Sequence, residues 1–333
     1  MHVIGCAVIG AGFMGSIHAA SMRHIPSAQL KWVVDKELDK ARALAEPHKA
    51  RYTDHIDPVL NDPEVTAVIH CLPTPMRLEF LKQYVAAQKH ILCEKPLART
   101  LAEARAIKKL LQGYKKVFMV GQVVRFFWEY EQTRQLVRSG AIGTPGVARF
   151  SRCGGFPRAG RDWYGDYEMS GGAGLDLSVH EFDYMLWTFG PIRRVFAKGL
   201  AKTGLTHGDY MLTILKFANG MIAHSEVSWA EPLGSFWTSF EVSGSKGMIE
   251  FDSRMAPPFV LTQKAPAGSA APGIVVPQRA ELESPYPREL KHFIQCCEKN
   301  KKPLITVEDG LRALIVSLSC LESIETGRPV TIK

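Results

Sequence analysis

The chain has 333 residues, 46% of them hydrophobic and 22% charged, with a formal net charge of +8. That length exceeds one ordinary core and predicts two domains, and the composition excludes global disorder. The basic excess does not point to nucleic acid. Lysines and arginines are interspersed with acids, and the densest runs, Lys108-Lys109 and Lys115-Lys116, read as solvated helix faces. No nucleic-acid or membrane partner is expected, since no apolar run reaches spanning length. Seven cysteines, an odd number without any Cys-x-x-Cys, read as free thiols in a reducing compartment rather than a disulfide or zinc framework. The first residues run straight into a strand without a leader pattern, so the expected location is the cytoplasm.

Short apolar runs at 3–9, 30–34, 65–72, 90–93 and 117–120 alternate with helical patterns at 37–46, 77–87 and 101–111. Strands buried on both faces with helical crossovers predict a doubly wound parallel sheet over residues 1–123. The remainder, 124–333, is predicted to be an α/β domain on a largely antiparallel open sheet. It begins with a helix at 128–139 and continues with one around 176–189. Strands at 210–217 and 221–229 flank Ala218-Asn219-Gly220, a hairpin turn, and 236–242 and 248–251 flank Gly244 and Gly247. Residues 265–273, rich in Ala, Pro, Gly and Ser, read as a surface loop. Leu311, Leu314, Ile315, Leu318, Leu321 and Ile324 form one helical stripe closed by Gly327.

The sequence Gly10-Ala11-Gly12-Phe13-Met14-Gly15 follows a strand and opens a helix, and Asp35 ends the next strand. In that context it is a dinucleotide-binding fingerprint. Gly10 serves the tight turn, Gly12 admits the pyrophosphate to the backbone, and Gly15 lets the helix pack closely on the strand. The helix N-terminus offers unpaired N–H groups to the phosphates. A carboxylate at Asp35 accepts from ribose hydroxyls and repels a 2′-phosphate, which favours NAD over NADP. Lys36 could partly restore NADP, but reads as a surface lysine.

Oxidising a secondary alcohol removes a hydroxyl proton as hydride leaves carbon. His180 is the natural base, with Asp176 four residues earlier to orient the imidazole or hold a neighbouring substrate hydroxyl. Lys95, at the end of a strand, can stabilise the developing alkoxide. No third ligand joins Asp176 and His180, so no metal is expected.

These segments together carry a family resemblance. Gly10 to Gly15, Thr74-Pro75, Cys93-Glu94-Lys95-Pro96-Leu97 and the run Ser170 to His180 (SGGAGLDLSVH) resemble the Gfo/Idh/MocA oxidoreductases, and the likeness extends from the first strand to the C-terminal helix. The resemblance implies the roles above for Lys95, Asp176 and His180, and a cis peptide at Lys95-Pro96. It implies cofactor contacts from Gly10, Gly12, Phe13, Met14, Gly15, Asp35, Leu72, Thr74, Glu94, Lys95 and Gln122. Arg125, Trp163 and Tyr286 stand where related sequences line the substrate site; Trp163 and Tyr286 could equally be packed aromatics. Met76 and Glu79 replace an Asn and a His that are common in the family, and Ser178 replaces a common Gly. Some relatives carry tyrosine where His180 stands, so the histidine points to an inositol- or sugar-dehydrogenase style of site. The expected activity is NAD(P)-dependent oxidation of a secondary hydroxyl on a sugar, sugar derivative or cyclitol. The alternatives are an NAD-dependent glycosidase of the same fold and a non-catalytic dinucleotide- or sugar-sensing regulator, which should have lost the Lys95, Asp176 and His180 set. The resemblance also implies a homodimer or homotetramer formed through the open sheet face.

Overall fold

The computed structural model describes residues 3–157, 163–200, 209–255, 259–263, 275–277 and 284–332. The chain divides into two compact units. The first comprises residues 1–126, 159–163 and 283–311, and the second 127–158, 164–282 and 312–333. Residues 283–311, read from sequence as part of the second domain, therefore return to the first.

The first unit is built on β1 (Ile4–Ile9), β2 (Ala28–Val34), β3 (Arg51–Thr53), β4 (Ala67–His70), β5 (His90–Glu94) and β6 (Phe118–Gly121). All pairs are parallel and the order is β3-β2-β1-β4-β5-β6. Helices α1 (Phe13–Met22), α2 (Leu38–Ala45), α3 (Asp57–Leu60), α4 (Arg77–Ala86) and α5 (Leu101–Leu110) alternate with the strands. Every residue of β1, β4 and β5 is buried, as two covered faces require. Each fully buried Val, Leu or Ile contributes about 1.5–3 kcal/mol. The α5 helix starts on a capping box, in which Thr100 Oγ1 accepts the Glu103 amide and the Glu103 carboxylate accepts the Thr100 amide. The chain winds outward from β1 in both directions, which puts a topological switch point between β1 and β4. The sequence reading omitted β3, whose three residues are too few to show a period.

The second unit opens with α6 (Trp128–Arg138) and β7 (Pro145–Gly155), followed by α7 (Tyr167–Ser170), α8 (Ala173–Asp176) and α9 (Ser178–Phe189). Strands β8 (Ile192–Leu200), β9 (Tyr210–Phe217), β10 (Ile222–Glu231), β11 (Phe236–Gly244), β12 (Gly247–Asp252), β13 (Phe259–Gln263) and β14 (Val275–Pro277) then complete a sheet with β7 and the terminal β15 (Val330–Thr331). Its order is β14-β13-β12-β11-β7-β10-β9-β8-β15, antiparallel except for β7 with β10. Both expected hairpins form, and in the first the Asn219 side chain accepts the Met221 amide. The long β7 was not foreseen. Its inward Arg152 interrupts the apolar alternation, because that position meets a buried acid rather than a hydrophobic neighbour. The helix expected over 176–189 is split at Leu177 into α8 and α9. The loop expected at 265–273 lies outside the described residues.

Two helices precede the terminal β15, α10 (Pro285–Lys299) in the first unit and α11 (Val307–Thr326), whose first five residues belong to the first unit and the rest to the second. No described helix is long and apolar enough to cross a membrane.

Candidate active site

In the first unit, the residues singled out for a cofactor all follow carboxyl ends of strands. Gly10 to Gly15 follow β1, Asp35 follows β2, Leu72 and Thr74 follow β4, Glu94 ends β5 with Lys95 after it, and Gln122 follows β6. A parallel sheet with this order presents its ligand crevice along that edge.

The three fingerprint glycines answer three different constraints. Gly10 has φ +102°, a conformation that side chains disfavour. A Cβ on Gly15 would lie 1.9 Å from the Gly10 carbonyl oxygen, so α1 seats against the loop only without one. A Cβ on Gly12 would meet nothing within 4 Å, which leaves open space over the N-terminus of α1. Phe13 opens that helix and is 70% exposed, and Met14 follows it. Asp35 ties the loop to β2, since Oδ2 accepts the Ala11 amide at 2.8 Å and Oδ1 the Glu37 amide at 2.9 Å. Each oxygen keeps a further lone pair for a ribose hydroxyl. Thr74 is buried at 3% exposure on a short 3₁₀ turn.

At the β5 and β6 ends, Glu94 pairs with Gly121 across the ladder. A Cβ on Gly121 would lie 3.2 Å from the Glu94 carboxylate, so the glycine makes room for it. Glu94 Oε2 accepts the Lys95 amide at 3.2 Å, and Oε1 lies 2.7 Å from His18 Nε2. The Lys95–Pro96 bond is cis. Lys95 is half-buried, and the Arg77 guanidinium donates to the Pro96 carbonyl. Gln122 is wholly buried, and neither polar atom of its amide has a partner among the described residues. A buried amide left in that condition costs several kcal/mol at most and about 1–3 typically, unless a ligand completes it. The open space at Gly12 and this donor–acceptor amide suit the pyrophosphate and carboxamide of a nicotinamide dinucleotide.

The sequence reading missed His18 and Glu289. His18 lies one turn into α1 and Glu289 on α10, both at 0% exposure. With Glu94 they bring one ring nitrogen and two carboxylate oxygens within 4.8 Å of one another. Positions 18, 94 and 289 share no spacing that a sequence displays.

The structure places the remaining first-unit candidates as follows. Arg125 is buried and donates to Asp309 at 3.1 Å and to the Leu304 carbonyl at 3.3 Å. Burial raises the Asp309 carboxyl, but Arg125 and the Thr306 hydrogen bonds outweigh it and hold the group below the usual range. Trp163 and Tyr286 are half-buried, the latter in the first turn of α10.

In the second unit, Gly171 and Gly172 both take positive φ and deliver the chain into α8. Asp176 ends α8 and His180 lies in the first turn of α9, with exposures of 7% and 9%. Leu177 between them keeps helical φ and ψ, so the four-residue spacing holds. Next to His180 in the chain, Glu181 at 0% exposure accepts from Arg152 Nε at 3.0 Å and from the Tyr130 hydroxyl at 3.1 Å. Burial raises the Glu181 carboxyl, against the opposing pull of Arg152 and the two hydrogen bonds.

Comparison with known proteins agrees with this geometry. Residues 4–122 match the model of an oxidoreductase family with an NAD-binding Rossmann fold, and residues 130–250 match the GFO/IDH/MocA C-terminal domain. The chain is 29% identical to a myo-inositol 2-dehydrogenase of Thermotoga maritima, over 98% of each chain. It is 28% identical to an NAD(+)-dependent scyllo-inositol 2-dehydrogenase of Bacillus subtilis, over 99% of this chain and 97% of that one. Its fold is similar to that of levoglucosan dehydrogenase in complex with NADH and L-sorbose, with a TM-score of 0.91 and 20% identity over 100% of both chains. A glycine-rich loop at a switch point, in a unit matched to an NAD-binding Rossmann model and followed by one matched to its own family model, leaves one assignment: the chain belongs to the GFO/IDH/MocA family of NAD-binding oxidoreductases.

Proposed function

We propose that the protein is an NAD-dependent dehydrogenase that oxidises a secondary hydroxyl of a cyclitol, sugar or sugar derivative. The observation that carries this reading is Lys95 at the carboxyl end of β5, one residue past Glu94, the ladder partner of Gly121, just as Gln122 is one residue past Gly121 on β6. A cation at that sheet edge suits an alkoxide that forms beside a nicotinamide bound along it. Full-length similarity to two inositol 2-dehydrogenases supports a polyol substrate.

Bound NAD⁺ would supply the acceptor for the hydride that leaves the carbinol carbon. His180 takes the hydroxyl proton, which leaves a ketone and an imidazolium. The Lys95 ammonium stabilises the alkoxide as it forms. Asp176 orients the imidazole or holds an adjacent hydroxyl. Gly10, Gly12, Phe13, Met14, Gly15, Asp35, Leu72, Thr74 and Glu94 are assigned to the cofactor, and Trp163, Tyr286 and Arg125 to the substrate side. No observation favours the glycosidase or regulator readings. The seven free thiols support a reducing, cytoplasmic setting. Leu212, Ile214 and Ile222, exposed at 40%, 52% and 47% on the open sheet, support a homodimer or homotetramer.

The test is NADH and NADPH formation across inositols, aldoses and sugar acids. Wild type should reduce NAD with at least one polyol, and His180→Ala should lose about 10²–10⁴-fold of that rate. NAD binding without turnover on any polyol would reject the reading.

A further inference from the structure

Lys95 is the first residue beyond the β5 ladder, and side chains pin its segment on both sides. On the amino side, its N–H is taken by Glu94 Oε2 at 3.2 Å. On the carboxyl side, Arg77, itself 2% exposed, donates to the Pro96 carbonyl. The aim of the lysine therefore depends on where the Glu94 carboxylate sits, and that carboxylate is fixed in turn. Gly121 packs against one side of it, and His18 Nε2 meets the other oxygen at 2.7 Å. A carboxylate only accepts, so the imidazole donates in this contact.

We infer that His18 is a positioning residue for Lys95, acting through Glu94. This rests on the proposed catalytic role of Lys95. His18 belongs to α1, the helix whose N-terminus faces the cofactor phosphates, three residues beyond Gly15. The same rigid element thus cradles the dinucleotide and sets the lysine. Glu289 extends the arrangement to α10, since one of its carboxylate oxygens lies within 4.8 Å of both partners. A metal ion is a poorer occupant of this cluster. An ion bound tetrahedrally to both His18 and Glu94 would hold the two ligand atoms about 3.4 Å apart, given bonds of about 2.1 Å, instead of in direct hydrogen-bond contact.

The test compares His18→Leu with His18→Gln, whose side-chain amide nitrogen reaches the place of Nε2. His18→Leu should lower kcat about 10- to 100-fold while the KM for NAD and the NADH dissociation constant move less than about 2-fold, and His18→Gln should recover most of the loss. The ¹³C-dimethyl resonance of reductively methylated Lys95 should shift in His18→Leu and return in His18→Gln. Wild-type kcat and an unmoved resonance in His18→Leu would overturn the inference. So would equal losses in both variants with the Lys95 resonance unmoved, which would mark a purely structural histidine. If His18→Leu does not fold, His18→Asn carries the test, because its amide stops short of Glu94, and an unmoved Lys95 resonance there would overturn the inference too. If wild type oxidises no polyol, the proposed function fails, and the Lys95 resonance still decides the role of His18.

Discussion

Gly15 and the carbonyl of Gly10 are in contact so close that a Cβ on Gly15 would stand 1.9 Å from that oxygen, whereas a Cβ on Gly12 would meet nothing within 4 Å. The two glycines therefore predict different failures. Gly15→Ala must displace α1 from β1, so both the thermal midpoint and NADH affinity should fall. Gly12→Ala should leave the thermal midpoint of the free protein unchanged and weaken NADH binding about 10-fold or more, because the methyl group would fill the space proposed for the pyrophosphate. Differential scanning fluorimetry and fluorescence titration with NADH separate the two.

Asp35 accepts two backbone amides, which fixes its carboxylate at the end of β2, the place proposed for the adenine ribose. Asp35→Ser should lower the ratio of kcat/KM for NAD over NADP by about 10-fold, since about 1.4 kcal/mol of altered discrimination suffices. Steady-state rates with both cofactors check this. An unchanged ratio would remove Asp35 from cofactor choice.

Arg152 and Glu181 form a buried ion pair, with side-chain exposures of 4% and 0%. Removing only Arg152 strands a carboxylate that burial already penalises. Arg152→Met should destabilise the second unit by about 3–5 kcal/mol, and Arg152→Met with Glu181→Leu should lose less than the single replacement. Urea unfolding of both variants measures the difference.

His90 Nδ1 accepts the Val117 amide at 3.0 Å, and burial, aided by Lys116, pushes its pKa from 6.5 down to about 4. The unfolded chain takes up the proton first on acidification. The contribution of His90 is therefore complete above 6.5 and is lost as pH falls from there toward about 4. That loss amounts to about 3 kcal/mol at most. Stability of the wild type should decline through this interval. In His90→Asn, whose side-chain oxygen stands in for the Nδ1 acceptor, the slope should be shallower.

The order of strands and helices in the first unit was legible because each element there satisfies its own local rule. A strand covered on both faces must be mostly apolar, as β1, β4 and β5 are, and the fingerprint loop needs glycine at Gly10 for its positive φ and at Gly15 for close contact with the Gly10 carbonyl. The hairpin at Asn219 is equally local. Lys95, Asp176 and His180 stood out for the same reason, as motifs contiguous in the chain. The tertiary structure alone decided what rests on distant partners. Arg152 hid β7 because its inward position is explained by Glu181, twenty-nine residues on, and by the Tyr130 hydroxyl, both remote in sequence. The return of α10 to the first unit, and the meeting of His18, Glu94 and Glu289, depend on folding that joins positions remote in sequence. Period and spacing report the environment of a segment, whereas the pairing of buried polar groups is fixed only when separate segments pack and each donor must find its acceptor away from water.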